Sequence, residues 1–402
     1  MGLLDIFLSI LVLILDTIRI PIVFLLLIFL LLTYHLLLIY VRDRKFVLDY
    51  RKWYDEKPIP IDNLKEFPLI NFIVPAWNEG EIFKGCLLNF SQLKYPNFRV
   101  IVNAGGSKET TDIANSFKKN DIFTIIYQEK GGGKLKAIND CLPYIKEGLV
   151  FIMDADVYIT DQDLLKMVSK IVIENERIVN CGLKPHSSQV HKYTVRYLII
   201  NRNAWFRKKR AISNHKAVGP CSLLTLDVIK SVGRFTEKRL IGDGDSMGKD
   251  VKKYHYKIYQ LISDGIESKT YPVKIREYIS QNIRWLQNYY YNRYKSKVKI
   301  LLNFFIFLII SLYLFVFPFL LFIHLGLFVI GILILFNIYL KKIRKVLFFR
   351  FTSDRAFYGK NNPSFYLVII FYIYLDSFIN IYTFFEIVLF GQKHFKKRKN
   401  IE

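Results

Sequence analysis

The chain has 402 residues, 52% of them hydrophobic and 16% aromatic, with a formal net charge of +24. The basic excess sits beside long apolar blocks, which assigns it to anionic lipid headgroups and argues against a nucleic-acid partner. The cysteines, Cys86, Cys141, Cys181 and Cys221, are too widely spaced for a zinc site and read as reduced, partly buried thiols of a cytosolic domain. No repeat or low-complexity segment interrupts the chain.

In chain order, Ile6 to Leu15 is a short uncharged run between Asp5 and Asp16, open to reading as an interfacial helix or a short extra span. It lacks the basic leader and small-residue cleavage site of a signal peptide. Pro21 to Val41 carries no acid, Lys or Arg and is long enough for the roughly 20 apolar residues that a bilayer core requires, which predicts an N-terminal membrane segment over 1–41. Arg42 to Pro60 is a charged, aromatic linker. Residues 42–299 then suffice for one sizeable α/β domain. Leu69–Val74 reads as a strand ending at Pro75, Glu81–Leu93 as a helix, and Arg99–Asn103 as a strand. A helix capped by Ser107 follows. Ile122–Tyr127 is a strand, Gly133–Ile145 a helix and Leu149–Met153 a buried strand. Strands alternating with helices of this length predict βαβ units and a mostly parallel, Rossmann-like sheet.

Ile300 to Leu340 is uncharged over twice the length of the first apolar block, and predicts a transmembrane hairpin over 300–341 that turns near Pro318 or His324–Gly326. Basic clusters at Arg42–Lys52, Arg293–Lys299 and Lys341–Lys345 flank the apolar blocks, and the positive-inside rule puts all three in the cytoplasm. The remainder, 342–402, is a basic loop, an apolar stretch over Ser364–Gly391 containing Asp376 and Glu386, and a basic tail. That stretch crosses twice, lies in the interface or breaks the charge rule. Its two acids line a polar path, face a partner, or turn to water from an interfacial helix.

Five motifs carry chemistry. Phe151-Ile152-Met153 leads into Asp154-Ala155-Asp156, a pair of carboxylates at a strand's carboxyl end, where open α/β sheets bind ligands. Such a pair suits Mg²⁺, which takes one or two carboxylates and completes its shell with substrate phosphates. The same residues also suit a solvated loop. Pro75-Ala76-Trp77-Asn78-Glu79 leaves the first strand and can hold a nucleotide or simply end the strand. Gly131-Gly132-Gly133-Lys134 opens a helix whose N-terminus favours an anion, with Lys134 in reach of phosphates. Leu135 stands where a P-loop needs Ser or Thr, so this is a phosphate cradle of another kind or a flexible turn. Gly242-Asp243-Gly244-Asp245 offers a general base or a helix N-cap. Gln281, Arg284 and Trp285 share one helix face, suited to a diphosphate and a sugar ring or to a membrane surface.

In this order the motifs resemble the membrane-bound family 2 glycosyltransferases, which include cellulose, chitin and hyaluronan synthases and ceramide glucosyltransferase. Gln281-Asn282-Ile283-Arg284-Trp285 matches the family's Gln-x-x-Arg-Trp in full, and Asp154-Ala155-Asp156 its metal-binding Asp-x-Asp. The resemblance implies a GT-A fold flanked by transmembrane helices. It implies Mg²⁺ or Mn²⁺ held by Asp156 and Asp154, and a nucleotide-diphosphate sugar, a UDP-sugar first, bound by Pro75, Ala76, Trp77, Glu79, Lys134 and Asp154. Asp243 would be the catalytic base, with Gln281, Arg284 and Trp285 completing the catalytic set. The expected reaction is inverting transfer to a growing polysaccharide, in the plasma membrane with the catalytic domain in the cytoplasm. A single transfer to a glycolipid or polyprenyl phosphate is the second reading, and an inactive membrane scaffold the third. Two departures bear on this: Ala104-Gly105-Gly106-Ser107 stands where the family carries Asp-Asp-Gly-Ser, and Gly242 replaces a Glu, with Asp245 the fallback base.

Overall fold

The computed structural model describes residues 64, 66–208, 212–213, 221–237, 243–261, 266–294, 298–352 and 363–399, and only scattered positions before residue 64. Within the expected span at Pro21–Val41 and the linker to Pro60 only scattered positions are described, all of them helical, and Gly242 lies outside the described residues. The chain forms two compact units, one centred on Trp53–Ser296 and one holding the long apolar helices.

The α/β unit begins with β1 (Ile70–Trp77), α1 (Glu81–Phe90), β2 (Phe98–Gly105), α2 (Lys108–Ser116), β3 (Phe123–Tyr127), α3 (Gly133–Cys141) and β4 (Leu149–Met153). These four strands are parallel, in the spatial order β3-β2-β1-β4. The sheet continues beyond β4 through β9 (Cys221–Thr225), β6 (Ile178–Asn180), β10 (Ile258–Gln260) and β8 (Ile212–Ser213). Here it turns mixed, because β9 runs antiparallel to both β4 and β6. Helices α4 (Asp161–Val172), α5 (Tyr193–Lys208), α6 (Leu226–Val232), α7 (Asp243–Lys252) and α8 (Ile275–Tyr294) connect or follow these strands. A second sheet, absent from the sequence reading, orders β5 (Val157–Tyr158), β11 (Ile266–Ser268) and β7 (Leu183–Pro185).

Both faces of the main sheet are buried, as the near-continuous apolar runs of its strands require. Ile70, Phe72, Val74, Phe151 and Met153 pack with α1 and α4 through Phe83, Leu87, Phe90, Leu165 and Val168. Ile73, Ile101, Val150 and Ile152 pack on the other face with Ile138 of α3, Val228 of α6 and Met247 of α7. The Phe72 ring lies 4.9 Å from both Phe90 and Phe151. Ser107 caps α2 as expected, its Oγ accepting the Thr110 N–H at 3.2 Å. Thr160 does the same for α4, accepting the Asp163 N–H at 3.2 Å.

Two elements depart from expectation. β1 runs through Pro75 to Trp77 instead of stopping at the proline. The N–H groups of Ile70 and Asn78 bond to Asn97 and Gly105 on the β2 side, so odd-numbered residues of β1 face β4. Pairing with β4 ends at Ile73↔Ile152, so the N–H that Pro75 lacks has no partner to lose. Helix α3 stops at Cys141, and Leu142–Tyr144 tightens into a 3₁₀ turn containing Pro143, which cannot extend the α-helical ladder.

The second unit contains α9 (Val298–Val316), a 3₁₀ segment at Phe317–Phe322, α10 (Leu325–Thr352) and α11 (Pro363–Lys399). Among the described residues, three stretches are long and apolar enough to cross a membrane: Phe305–Phe322, Gly326–Leu347 and Pro363–Glu386. The hairpin turn falls at His324, whose Nδ1 accepts the Leu327 N–H at 3.3 Å, while Pro318 stays inside the 3₁₀ segment. The C-terminal stretch is one continuous helix, which removes the double crossing. Asp376 is paired with Lys342 of α10 at 3.1 Å, the kind of partner an acid at membrane depth requires. Asn380 donates to Ser311 of α9 at 3.2 Å, and Glu386 is buried.

Candidate active site

The strand order reverses between β1 and β4, the switch point where ligands bind in open α/β sheets. Beyond Ile73 and Ile152 the two strands are no longer paired, and their carboxyl ends deliver Trp77–Glu79 and Asp154–Asp156 to the gap. Lys134, on the first turn of α3, makes an ion pair with Asp154. Asp156 is buried, and its Oδ2 accepts hydrogen bonds from Ser268 Oγ at 2.7 Å and from Thr270 Oγ1.

The charges of this cluster act on one another. Burial alone would lower the Lys134 ammonium, but Asp154, Asp243 and Asp156 outweigh it and hold the group above its ordinary value. Burial raises the Asp154 carboxyl, Lys134 opposes that rise, and Asp156 and Asp243 add to it. Glu79 is raised by burial and then by Asp156 and Asp154. Glu79, Lys134, Asp154, Asp156 and Asp243, from the segments after β1 and β4 and from α3 and α7, thus lie close enough to act on one another electrostatically. No three His, Cys, Asp or Glu side chains form a metal cage among the described residues. The donor set is a pair of hard carboxylates, which fits a divalent cation whose remaining ligands come from substrate phosphates.

Asp243 is the first residue of α7, one position inside the N-cap place that the sequence offered it. The side chain of the fallback base, Asp245, lies outside the described residues. Helix α7 is anchored by Asp250, which accepts the Thr236 N–H at 2.8 Å and its hydroxyl at 3.0 Å. The loop carrying Thr236 is tied to α3 in turn. Asn139 donates to Phe235 O at 2.8 Å and to Glu237 at 2.9 Å, and accepts the Phe235 N–H at 2.8 Å. The residues bearing Lys134 and Asp243 are thus joined through a buried amide.

The missing acids at the end of β2 have a steric counterpart. A Cβ on Gly105 would stand 2.8 Å from the Gln128 carbonyl and 3.0 Å from Cζ3 of Trp77. The indole of Trp77 occupies space that a side chain at 105 would need.

Gln281, Arg284 and Trp285 lie on α8, started by Glu277, whose Oε2 accepts the N–H groups of Val273 and Lys274 at 2.9 and 3.1 Å. Arg284 is exposed, and Gln281 holds a buried Oε1 without a hydrogen-bond partner. No ion pair or hydrogen bond among the described residues ties Gln281 or Arg284 to the carboxylate cluster. Sequence reasoning missed Ser268 and Thr270, which reach Asp156 from 112 and 114 positions further along and carry no local signal.

A doubly wound sheet with an acidic pair at its switch point, in a chain that also carries membrane-type helices, fits a GT-A fold. The model of Glycosyl transferase family 2 matches residues 71–232 of the chain. Over 100 residues it is 32% identical to a poly-beta-1,6-N-acetyl-D-glucosamine synthase of Staphylococcus epidermidis, covering 25% of this chain and 24% of that protein. The corresponding synthase of Staphylococcus aureus is 31% identical over 105 residues, covering 26% and 25%. The similarity thus spans about a quarter of the length of these curated relatives. Among solved structures, the mannosyltransferase PcManGT from Pyrobaculum calidifontis, in complex with GDP-Man and Mn²⁺, aligns with a TM-score of 0.51 at 14% identity, over 88% of this chain and 96% of that one. That likeness concerns the fold.

Proposed function

We propose that the protein is a membrane glycosyltransferase that moves a hexose, with inversion, from a nucleotide-diphosphate sugar to a growing polysaccharide. The observation that carries this reading is the assembly of Lys134, Asp154, Asp156 and Asp243 at the switch-point crevice. The polymer is favoured by the synthase relatives. Asp154 and Asp156 would hold Mg²⁺ or Mn²⁺, which supplies neutralisation of the charge that develops on the departing diphosphate. Trp77, with Pro75, Ala76 and Glu79, would border the nucleoside. Backbone groups would meet the base where the family has acids, since Gly105 leaves no room for a carboxylate. Lys134 would exchange Asp154 for donor phosphates, aided by the N-terminal N–H groups of α3.

Asp243 would accept the proton of the acceptor hydroxyl as its oxygen bonds to the anomeric carbon and the bond to diphosphate breaks. Gln281 Oε1, buried and unmatched, is an acceptor for a saccharide hydroxyl. Arg284 would add positive charge for the diphosphate, and Trp285 a wall for the sugar. The charge pattern around the apolar blocks supports a cytoplasmic catalytic domain at the plasma membrane.

The test is turnover of a sugar-nucleotide panel by purified protein and its variants. Asp156→Ala and Asp243→Asn are each expected to lose roughly 10²–10³-fold in rate. Unchanged turnover in either overturns that residue's role. Product sizing with lipid extraction addresses the acceptor, and a lipid carrying a single sugar overturns the polymer.

A further inference from the structure

We infer that Ser268 and Thr270 are positioning residues that set the geometry of Asp156 for a divalent cation, an inference that rests on the metal role proposed for Asp156. The two hydroxyls come from the end of β11 and the residue after its exit. Their spacing of two puts both side chains on one side of an extended segment. Both bond to the same atom: Ser268 Oγ donates to Asp156 Oδ2 at 2.7 Å, and Thr270 Oγ1 donates to it as well. The hydroxyls lie 3.3 Å from one another, and the Thr270 N–H reaches Ser268 Oγ at 3.3 Å. Between them, the Lys269 N–H bonds to the backbone carbonyl of Asp156 at 3.3 Å. Asp156 is therefore gripped by backbone and side chain at once.

The segment making this grip is itself fixed. β11 is the central strand of the small sheet, with Ser268 opposite Val157 of β5 on one side and Pro185 of β7 on the other. Ser268 is only 1% exposed. An aspartate has two rotatable side-chain bonds, and an unbraced carboxylate must lose that freedom when it takes up a cation. Here the loss is met in folding. With Oδ2 saturated by hydroxyl donors, Oδ1 has no protein partner among the described residues and is the oxygen left for the cation. The hydroxyls are neutral, so they orient the carboxylate without cancelling its charge, as a lysine or arginine would. The neighbouring acid shows that contrast, since Asp154 is paired with Lys134. One acid is thus held by a cation that donor phosphates can draw away, and the other by a permanent neutral brace.

Outer partners of metal-bound carboxylates typically contribute 10–100-fold to metal affinity. The experiment uses full-length protein in nanodiscs. Mn²⁺ binding is followed by electron paramagnetic resonance with UDP and, in a parallel arm, with GDP. Ser268→Ala/Thr270→Val is expected to bind Mn²⁺ roughly 10–100-fold more weakly than wild type. Thr270→Ser, which retains the hydroxyl, is expected to stay near wild type. In sugar transfer, the double variant is expected to recover most of its kcat at saturating Mn²⁺, a recovery that a merely misfolded site would not show. If wild type binds Mn²⁺, Asp156→Asn abolishes binding and the double variant binds like wild type, the brace is overturned while the metal role stands. Mn²⁺ binding absent from wild type, or unaffected by Asp156→Asn, overturns the metal role and the brace with it. Loss of affinity in Thr270→Ser equal to that in Thr270→Val also overturns the brace, because the hydroxyl would then not be the active feature.

Discussion

Asn139 lies in α3, a little more than one turn beyond Lys134. Its side chain closes on the backbone of Phe235 and on Glu237. Asn139→Leu leaves the buried Phe235 N–H and C=O unmatched, at about 1–3 kcal/mol for each unmet group. Denaturant titration of the purified variant is expected to show that loss. Asn139→Ala should lose catalytic rate beyond its loss of folded protein, because the link from α3 to the loop before Asp243 is broken. At this scale the sequence reveals residue types and not partners. Asp154 and Asp156 were legible because three apolar residues lead straight into them. The hydroxyls that grip Asp156 were not, because Ser and Thr in Glu267-Ser268-Lys269-Thr270 look like any strand exit until β11 is seated between β5 and β7.

Elements were legible where a period was strong and uninterrupted. The first four strands and their helices emerged from alternating apolar runs, and Ser107 marked the start of α2. The small sheet did not emerge, since β5, β7 and β11 are two or three residues each, too short for a period to register. The apolar hairpin was clear in outline, but its turn could be placed only to within several residues. What fixes it is packing: Gly331 of α10 lies so close to the Phe317 ring that an added Cβ would run into Cβ, Cγ and Cδ2. Those atoms lie near the Phe317 backbone and cannot simply swing aside. Gly331→Val is expected to force the 3₁₀ segment off α10 and lower the melting temperature of the detergent-solubilised protein. Phe317→Ala combined with Gly331→Val is expected to restore part of that loss, and equal melting temperatures for Gly331→Val and wild type would refute the close packing.

For the molecule as a whole, the buried thiols contribute to the alkaline limb of stability. All four cysteines are buried thiols outside any disulfide. Burial pushes the Cys86, Cys141 and Cys221 thiols above their ordinary value near 9.0. As pH climbs past that value, the unfolded chain releases these protons before the native chain does, so stability declines. Below it the thiols contribute no slope. The urea midpoint is expected to fall between pH 8 and pH 10, and the fall to shrink in a Cys86→Ala/Cys141→Ala/Cys221→Ala variant. At pH 8 the native protein should resist thiol reagents that label all four cysteines once it is unfolded. The membrane-type helices after the α/β unit were legible from charge-free length alone, because a bilayer imposes that length on any sequence.

The tight meeting of Gly105 with Trp77 and the Gln128 carbonyl has a consequence for the history of this chain. Position 105 cannot acquire an acid by one codon change, since the new side chain would collide with an indole on one flank and main chain on the other. A lineage seeking that acid must first shrink residue 77 and let the end of β3 retreat. Each intermediate would have to survive with a loosened pocket rim, so the two positions are bound to evolve as a pair.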